Sequence, residues 1–285
     1  MKLGIIYAGQ GSQVVGMGKS FYPHEIFDQN EDLKELCFNG PLEKLSYTPY
    51  TQPCMVMVAT IITDLLKEHG IVPDYTAGLS LGEYSALYCA GVFKRQQVID
   101  LARFRGKVMQ EAVSEIESEM IAVLGMKEEL LQDLCHQASS LGVVSISNYN
   151  CPGQTVISGE VKALEASVKI AKELGGRALP LKVSGPFHCS MYKDASYKFY
   201  EEVKKAEIND FKKVVYSNVK GAPYKKDDDI KELLRQQIMS PVLFEKSIRD
   251  LINKGVDTFI EVGPGKALSG FVKKIDKSVK IYNVC

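Results

Sequence analysis

Residues 74–91 read DYTAGLSLGEYSALYCAG. A short β-prone stretch runs into Gly78-Leu79-Ser80-Leu81-Gly82, and a helix-like stretch follows at once and closes at Gly91. A strand that turns sharply into a helix through G-x-S-x-G needs its glycines, because strand and helix must approach closely there. The serine is then lifted out on the turn with its hydroxyl exposed, facing the free N–H groups of the helix start. A serine that merely falls between two glycines would look the same, so the surrounding chain must decide.

That surrounding chain predicts an α/β fold. KLGIIYA (2–8) reads as a buried strand followed by the loop GQGSQ. Residues 54–69 read as an almost wholly apolar helix, with Pro53 near its first turn and Gly70 past its end. Residues 95–113 form another helix. Later, KVVYSNV and DTFIEV read as strands, IKELLRQQI and PVLFEKSIRDLINKG as helices, and a helix near 266–275 leads to a terminal strand KIYNV. Strands alternating with helices predict a mostly parallel α/β sheet with helices on both faces.

The middle follows a different pattern. MIAVLGM (120–126) is strand-like, KEELLQDLCHQAS helical, VVSISNY and QTVISG are strands, EVKALEASVKIAKELG is helical, and RALPLKV closes as a strand. This β-α-β-β-α-β order is the ferredoxin-like pattern. The expected organisation is a large α/β subdomain from 1–117 and 186–285, with a small ferredoxin-like subdomain inserted at 118–185.

Composition narrows the partners. Lys+Arg and Asp+Glu are 35 each, so no bulk basicity points to nucleic acid, and no nucleic-acid-binding motif is present. The longest apolar run, CMVMVATIITDLL, is broken by threonines and too short to span a membrane, and the N-terminal apolar run is too short for a secretory signal. A cytoplasmic protein without a membrane partner is expected. The seven cysteines are odd in number and none has C-x-x-C spacing, so free reduced thiols are expected.

If Ser80 is a nucleophile, a base must take its proton, and the chain has four histidines. His69 lies at a helix end, His136 on the charged face of an amphipathic helix, and His24 in a weakly patterned loop. His188, in SGPFHCSMY, sits where the inserted subdomain returns to the large one, and domain junctions are where sites concentrate. Elimination favours it, with a packed loop histidine as the alternative. No acid to orient its ring is evident; a backbone carbonyl could serve. Val98, Leu101, Ala102, Arg105, Val108, Met109 and Ala112 recur on one helical face. Arg105 lies inside that apolar stripe and needs an anion, because an unpaired buried charge is costly. A structural role, as an ion pair with a protein carboxylate or a guanidinium snorkelling to the helix edge, and capture of a substrate carboxylate by the guanidinium fork fit equally. GQGSQ (9–13) is neither a Rossmann fingerprint nor a P-loop, but Gln10 could offer an amide to a ligand.

Taken together, GQGSQVVGMG, TQP, GLSLGEYSAL, RGKVMQEA, NCPGQTVISG, GPFHCSMY, SPV and EVGPGKAL closely resemble the malonyl-CoA:acyl carrier protein transacylases of fatty acid and polyketide synthesis, over nearly the whole chain. The resemblance implies a hydrolase-like large subdomain with a ferredoxin-like insert, Ser80 as acylated nucleophile, His188 as base, the N–H groups of Gln10 and Leu81 as oxyanion hole, and Arg105 as the malonyl carboxylate's partner. Gln237 is implied to orient His188 through its backbone carbonyl, with Gln236 adjacent. Phe187 resembles the malonyl-selective members. The chain departs from the common pattern at Leu79, where histidine is frequent, at Ala8, where proline is frequent, and in a shortened stretch between residues 20 and 40. The implied reaction is a ping-pong transfer from malonyl-CoA to the phosphopantetheine thiol of an acyl carrier protein, with no metal or bound cofactor, by a monomer. Alternatives are a trans-acting acyltransferase or acyl hydrolase of a polyketide pathway, a malonyl-transfer subunit of a malonate decarboxylase, and a catalytically inert binding module.

Overall fold

The structure, a computed structural model, describes residues 2–181 and 183–285. Lys182, within the expected strand RALPLKV, lies outside them. In chain order the strands are Leu3–Tyr7 (β1), Tyr75–Gly78 (β2), Ser118–Leu124 (β3), Val144–Cys151 (β4), Gln154–Glu160 (β5), Arg177–Pro180 (β6), Val214–Ser217 (β7), Ala222–Pro223 (β8), Thr258–Val262 (β9) and Lys280–Val284 (β10). They form two sheets. The larger has the order β10-β9-β1-β2-β7-β8 and is parallel except for β8.

β1 shows why this sheet must be covered twice. All five of its residues are buried. Leu3, Ile5 and Tyr7 join one apolar core and Ile6 the other, as the two-residue period of a strand requires. Helices supply both covers. They are, in chain order, Glu25–Gln29 (α1), Glu31–Asn39 (α2), Leu42–Leu45 (α3), Thr48–Glu68 (α4), Gly82–Cys89 (α5), Arg95–Ala112 (α6), Glu128–Ala138 (α7), Val161–Glu173 (α8), Lys193–Val203 (α9), Ile230–Gln237 (α10), Phe244–Asn253 (α11) and Ala267–Ile275 (α12). Residues of α4, α5, α6, α9 and α10 build the first core, and those of α11 and α12 the second.

The small sheet is antiparallel throughout, in the order β4-β5-β3-β6, which is the ferredoxin-like arrangement. One face packs under α7 and α8 through Ile121, Val123, Ile146 and Ile157. The other presents Met120, Ala122 and Val156 to the first large core. Near this junction β4 is stitched to the large layer: the Val242 N–H donates to the Ser147 carbonyl and the Tyr149 N–H to the Val242 carbonyl, both at 2.9 Å.

Some elements differ from the sequence reading. α4 starts at Thr48 rather than 54 and carries Pro53 inside it. Pro49 already occupies the first turn, and the buried Thr51, Gln52 and Pro53 hold the helix through the second proline against α6. There Gly106 is needed: a Cβ would come within 2.7 Å of the Thr48 carbonyl oxygen. α1–α3 occupy the flank expected to be shortened, and α9 and β8 have no counterpart in the sequence reading. All seven cysteines are free thiols. Among the described residues no helix is long and apolar enough to cross a membrane.

Candidate active site

The functional side chains converge just beyond the carboxyl ends of the parallel strands, where α/β sheets bind ligands. Gln10 follows β1, Ser80 follows β2 and Asn218 follows β7. The Ser80 turn is as tight as its glycines suggest. A Cβ on Gly78 would lie 2.0 Å from the carbonyl carbon of Gly82, and one on Gly82 would lie 2.1 Å from the Tyr7 carbonyl oxygen. Ser80 is forced to φ 52°. Its N–H donates to Asn218 Oδ1 at 2.7 Å, and Asn218 Nδ2 donates back to the Gly78 carbonyl at 2.7 Å. One asparagine thus clamps both sides of the turn.

His188 meets Ser80 there, with Nε2 2.6 Å from Oγ. Its Nδ1 lies 2.8 Å from the Gln237 carbonyl oxygen. A carbonyl can only accept, so the proton sits on Nδ1, and Nε2 is left to accept from the Ser80 hydroxyl. The ring is 2 % exposed. Burial first, and the nearby Arg105 charge second, bring its pKa down to about 3, so the ring is neutral at ordinary pH. Gln236, by contrast, donates to Glu232 at the surface edge of α10.

Arg105 is 1 % exposed and lies against Ser80. Its Nη2 donates to Ser80 Oγ at 3.2 Å and to Gln237 Oε1 at 3.1 Å, and its guanidinium sits 5.4 Å from the Tyr84 ring centroid. Among the described residues no carboxylate lies within ion-pair distance of it, and its buried Nε has no partner. A protein ion pair is therefore not what holds this charge, and burial rules out a guanidinium snorkelling to the helix edge. The other cationic neighbours on α6 point away, Arg103 to Asp32 and Lys107 toward Glu111.

The Gln10 side chain is held by Thr48 Oγ1 at 3.1 Å and by Gln52 Nε2 at 3.4 Å. Among the described residues neither the Gln10 nor the Leu81 backbone N–H has an acceptor. Leu81 stands at the N-terminus of α5, where unbonded N–H groups favour negative charge. A cleft of about 360 Å³ opens over these groups, and its far wall, with Asn148, Asn150 and Val156, belongs to the small sheet. Phe187 lines it and stacks on Tyr192 with centroids 6.0 Å apart. A larger groove of about 880 Å³, at the amino ends of the strands near residues 208–215, has no histidine or serine in its lining. His24 caps α1, His69 bonds the Leu65 carbonyl at the end of α4, and His136 is exposed on α7.

Sequence reasoning missed Asn218, Glu83 and Tyr224. Glu83 is fully buried one turn below Ser80, and its oxygens accept from Tyr224, Gln237 and the Asn218 N–H. A charged residue in the otherwise apolar GEYSAL helix was the available signal.

A serine, a neutral imidazole, two free amides and a guanidinium without a carboxylate partner thus face one cleft. Residues 5–284 match the acyl transferase domain family, and the chain belongs to it. Within that family it is 43% identical over 295 residues to the malonyl CoA-acyl carrier protein transacylase of Bacillus subtilis strain 168, covering 99% of this chain and 93% of the relative. The crystal structure of malonyl CoA-acyl carrier protein transacylase from Clostridium perfringens superposes with a TM-score of 0.96 at 48% identity, covering 100% of this chain and 93% of that one. A malonyl-transacylase solved in complex with a type II PKS acyl-carrier protein superposes with a TM-score of 0.95 at 35% identity, covering 100% and 96%.

Proposed function

We propose that the chain transfers a malonyl group from malonyl-CoA to the phosphopantetheine thiol of an acyl carrier protein, through a malonyl ester on Ser80, and so supplies extender units for fatty acid synthesis. The observation that carries this is Arg105: a buried guanidinium without a carboxylate partner, 3.2 Å from Ser80 Oγ. A malonyl group on Ser80 has only a methylene between its ester carbonyl and its carboxylate. The carboxylate therefore falls within reach of the guanidinium and supplies the missing counter-charge.

The chemistry runs in two balanced halves. Ser80 Oγ attacks the thioester carbonyl while its proton passes to His188 Nε2. Negative charge collects on the carbonyl oxygen and is met by the N–H groups of Gln10 and Leu81, each worth about 3–4 kcal/mol in comparable sites. The tetrahedral adduct collapses, the C–S bond breaks, and His188 returns the proton to the departing coenzyme A thiolate. The carrier's thiol then gives its proton to His188 and attacks the ester carbonyl; Ser80 leaves and recovers the proton. The Gln237 carbonyl keeps the ring in the tautomer both halves need and stabilises the imidazolium between them. Arg105 holds the acyl group in line, and Phe187 lines the same cleft. The steps call for no metal or redox group. The names of the relatives, and the carrier-protein complex among them, support the acceptor; a monomer working in the cytoplasm is the accompanying expectation.

Intact-protein mass spectrometry after mixing with malonyl-CoA, acetyl-CoA or methylmalonyl-CoA, without carrier protein, tests the reading. A malonyl adduct on Ser80, with little from the other two, is expected. Steady release of coenzyme A without an adduct would make the chain a hydrolase, and neither adduct nor release would make it a binding module.

A further inference from the structure

The mechanism above leaves unused a buried carboxyl that touches its own machinery. Glu83, on the first turn of α5, is 0 % exposed. Three donors point at its two oxygens: Tyr224 OH at 2.5 Å on Oε1, and Gln237 Nε2 at 2.8 Å and the Asn218 N–H at 3.2 Å on Oε2. Burial pushes its carboxyl up to about 7, against the pull of those bonds. A buried carboxylate is costly unless fully hydrogen-bonded. A leucine would fill the same space without that cost, so its retention asks for a reason.

The reason lies in the two residues it touches. The Gln237 amide has two ends. Nε2 donates to Glu83 and to the Ser80 carbonyl at 2.9 Å, while Oε1 accepts from Arg105. An amide can flip end for end at little cost in shape, and the flipped form would turn an NH₂ toward the guanidinium, donor against donor. Ionised Glu83 can only accept, so it admits one orientation. The backbone carbonyl of the same glutamine holds His188. The other residue, Asn218, receives Glu83 at its N–H and clamps the Ser80 turn with its side chain.

We propose that Glu83 is a positioning residue for acyl transfer: by accepting from Gln237 and Asn218 it fixes the orientation of the Gln237 amide, and through it Arg105, His188 and the Ser80 turn. This rests on the transfer reading above. It places one carboxylate behind both halves of the site, the proton relay and the carboxylate clamp.

The test is single-turnover acylation at pH 8, above the raised carboxyl value, with malonyl-CoA and acetyl-CoA in competition and adducts counted by intact mass. The malonyl-to-acetyl ratio is read on folded molecules only, so a loss of folded protein does not move it. Glu83→Leu keeps the bulk and removes the acceptor; it is expected to slow acylation at least about tenfold and to lower the malonyl-to-acetyl ratio. Glu83→Gln can still turn its oxygen to Gln237 and Asn218 and its NH₂ to Tyr224, and is expected to recover most of both losses. If Glu83→Leu does not fold, Glu83→Gln combined with Tyr224→Phe replaces it. The introduced NH₂ then has no acceptor at position 224 and competes for Gln237, so the ratio should fall below that of Glu83→Gln alone. A parental rate and ratio in these variants would overturn the inference, as would slower acylation at an unchanged ratio that Gln does not restore. Absence of any adduct on the parental protein would instead overturn the transfer reading, and the inference with it.

Discussion

Among the described residues only two non-glycine positions have positive φ, and they are Ser80 and His188, at 52° and 63°. Left-handed backbone costs an L-residue about 1–2 kcal/mol, so the two groups that exchange a proton both sit in costly geometry, held by their surroundings. Ser80→Ala is expected to abolish acylation while unfolding as cooperatively as the parent; near-parental transfer would remove Ser80 from the mechanism. Ser80→Gly should be more stable than Ser80→Ala by up to about 1 kcal/mol, the backbone relief less glycine's extra freedom when unfolded; denaturant midpoints of the pair would read the difference. Arg105→Ala is expected to lose at least about thirtyfold in malonyl transfer, from about 2–5 kcal/mol for truncating a buried charge partner, and to accept acetyl better than the parent. Equal losses with both acyl groups would make the arginine structural. At this scale the sequence was informative where a residue type is unusual for its place. Arginine in an apolar stripe and serine between glycines stand out in one dimension. Asn218 does not, because an asparagine after a strand is ordinary turn chemistry until the fold brings it to the Ser80 amide.

Elements were legible where their period was long and unbroken. α6 and the amphipathic α7 and α8 repeat at helical spacing, β1 stands out as a short apolar run, and the order of the middle segments was enough to predict the small sheet. α4 was read a turn and more too short because Pro53 looks like a start signal. Inside the protein the buried Thr51 and Gln52 and the packing on α6 outweigh the lost hydrogen bond. α9 buries Ala195, Ser196, Phe199 and Val203, a helical spacing diluted by lysine, tyrosine and glutamate. The glycines make the sharpest predictions at this scale. Gly82→Ala would drive its Cβ to 2.1 Å from the Tyr7 carbonyl oxygen; a loss of about 3 kcal/mol or more, at the upper end for overpacking, and loss of acylation are expected. Gly270, inside α12, has open space where a methyl group would project, with nothing within 4 Å, and an ordinary backbone. Gly270→Ala should raise stability by about 0.5–1 kcal/mol without touching acylation, and thermal unfolding of the pair would show the contrast.

The whole molecule is two sheets that share a cleft, with the reacting groups on the larger and the opposite wall on the smaller. The two patterns of element order could be read from the sequence; the Val242 stitch and the face of the small sheet turned to the large core could not, since neither leaves a local signal. Two buried groups set an opposing pH response. His188 falls to about 3 when folded, against about 6.5 when free. Between those values the unfolded chain binds a proton that the folded one refuses, so this contribution to stability is lost as pH falls. Glu83 rises to about 7, from about 4.3, so in that window the folded chain holds the extra proton and stability is lost as pH rises. Thermal unfolding of the parent and His188→Gln from pH 7 down to pH 4 should therefore diverge in the variant's favour as the solution is acidified; a constant difference would mean that the imidazole titrates normally. Gln237 finally bears on how such an enzyme could acquire a new acyl group in evolution. Exchanging Arg105 for an apolar residue would admit uncharged acyl chains, yet it would strand Gln237 Oε1 in the interior without a donor. The first step toward new specificity thus gains acyl scope at a cost in stability, and a second substitution at or beside position 237 would recover it: the history of such enzymes would be one of paired replacements, in which order matters.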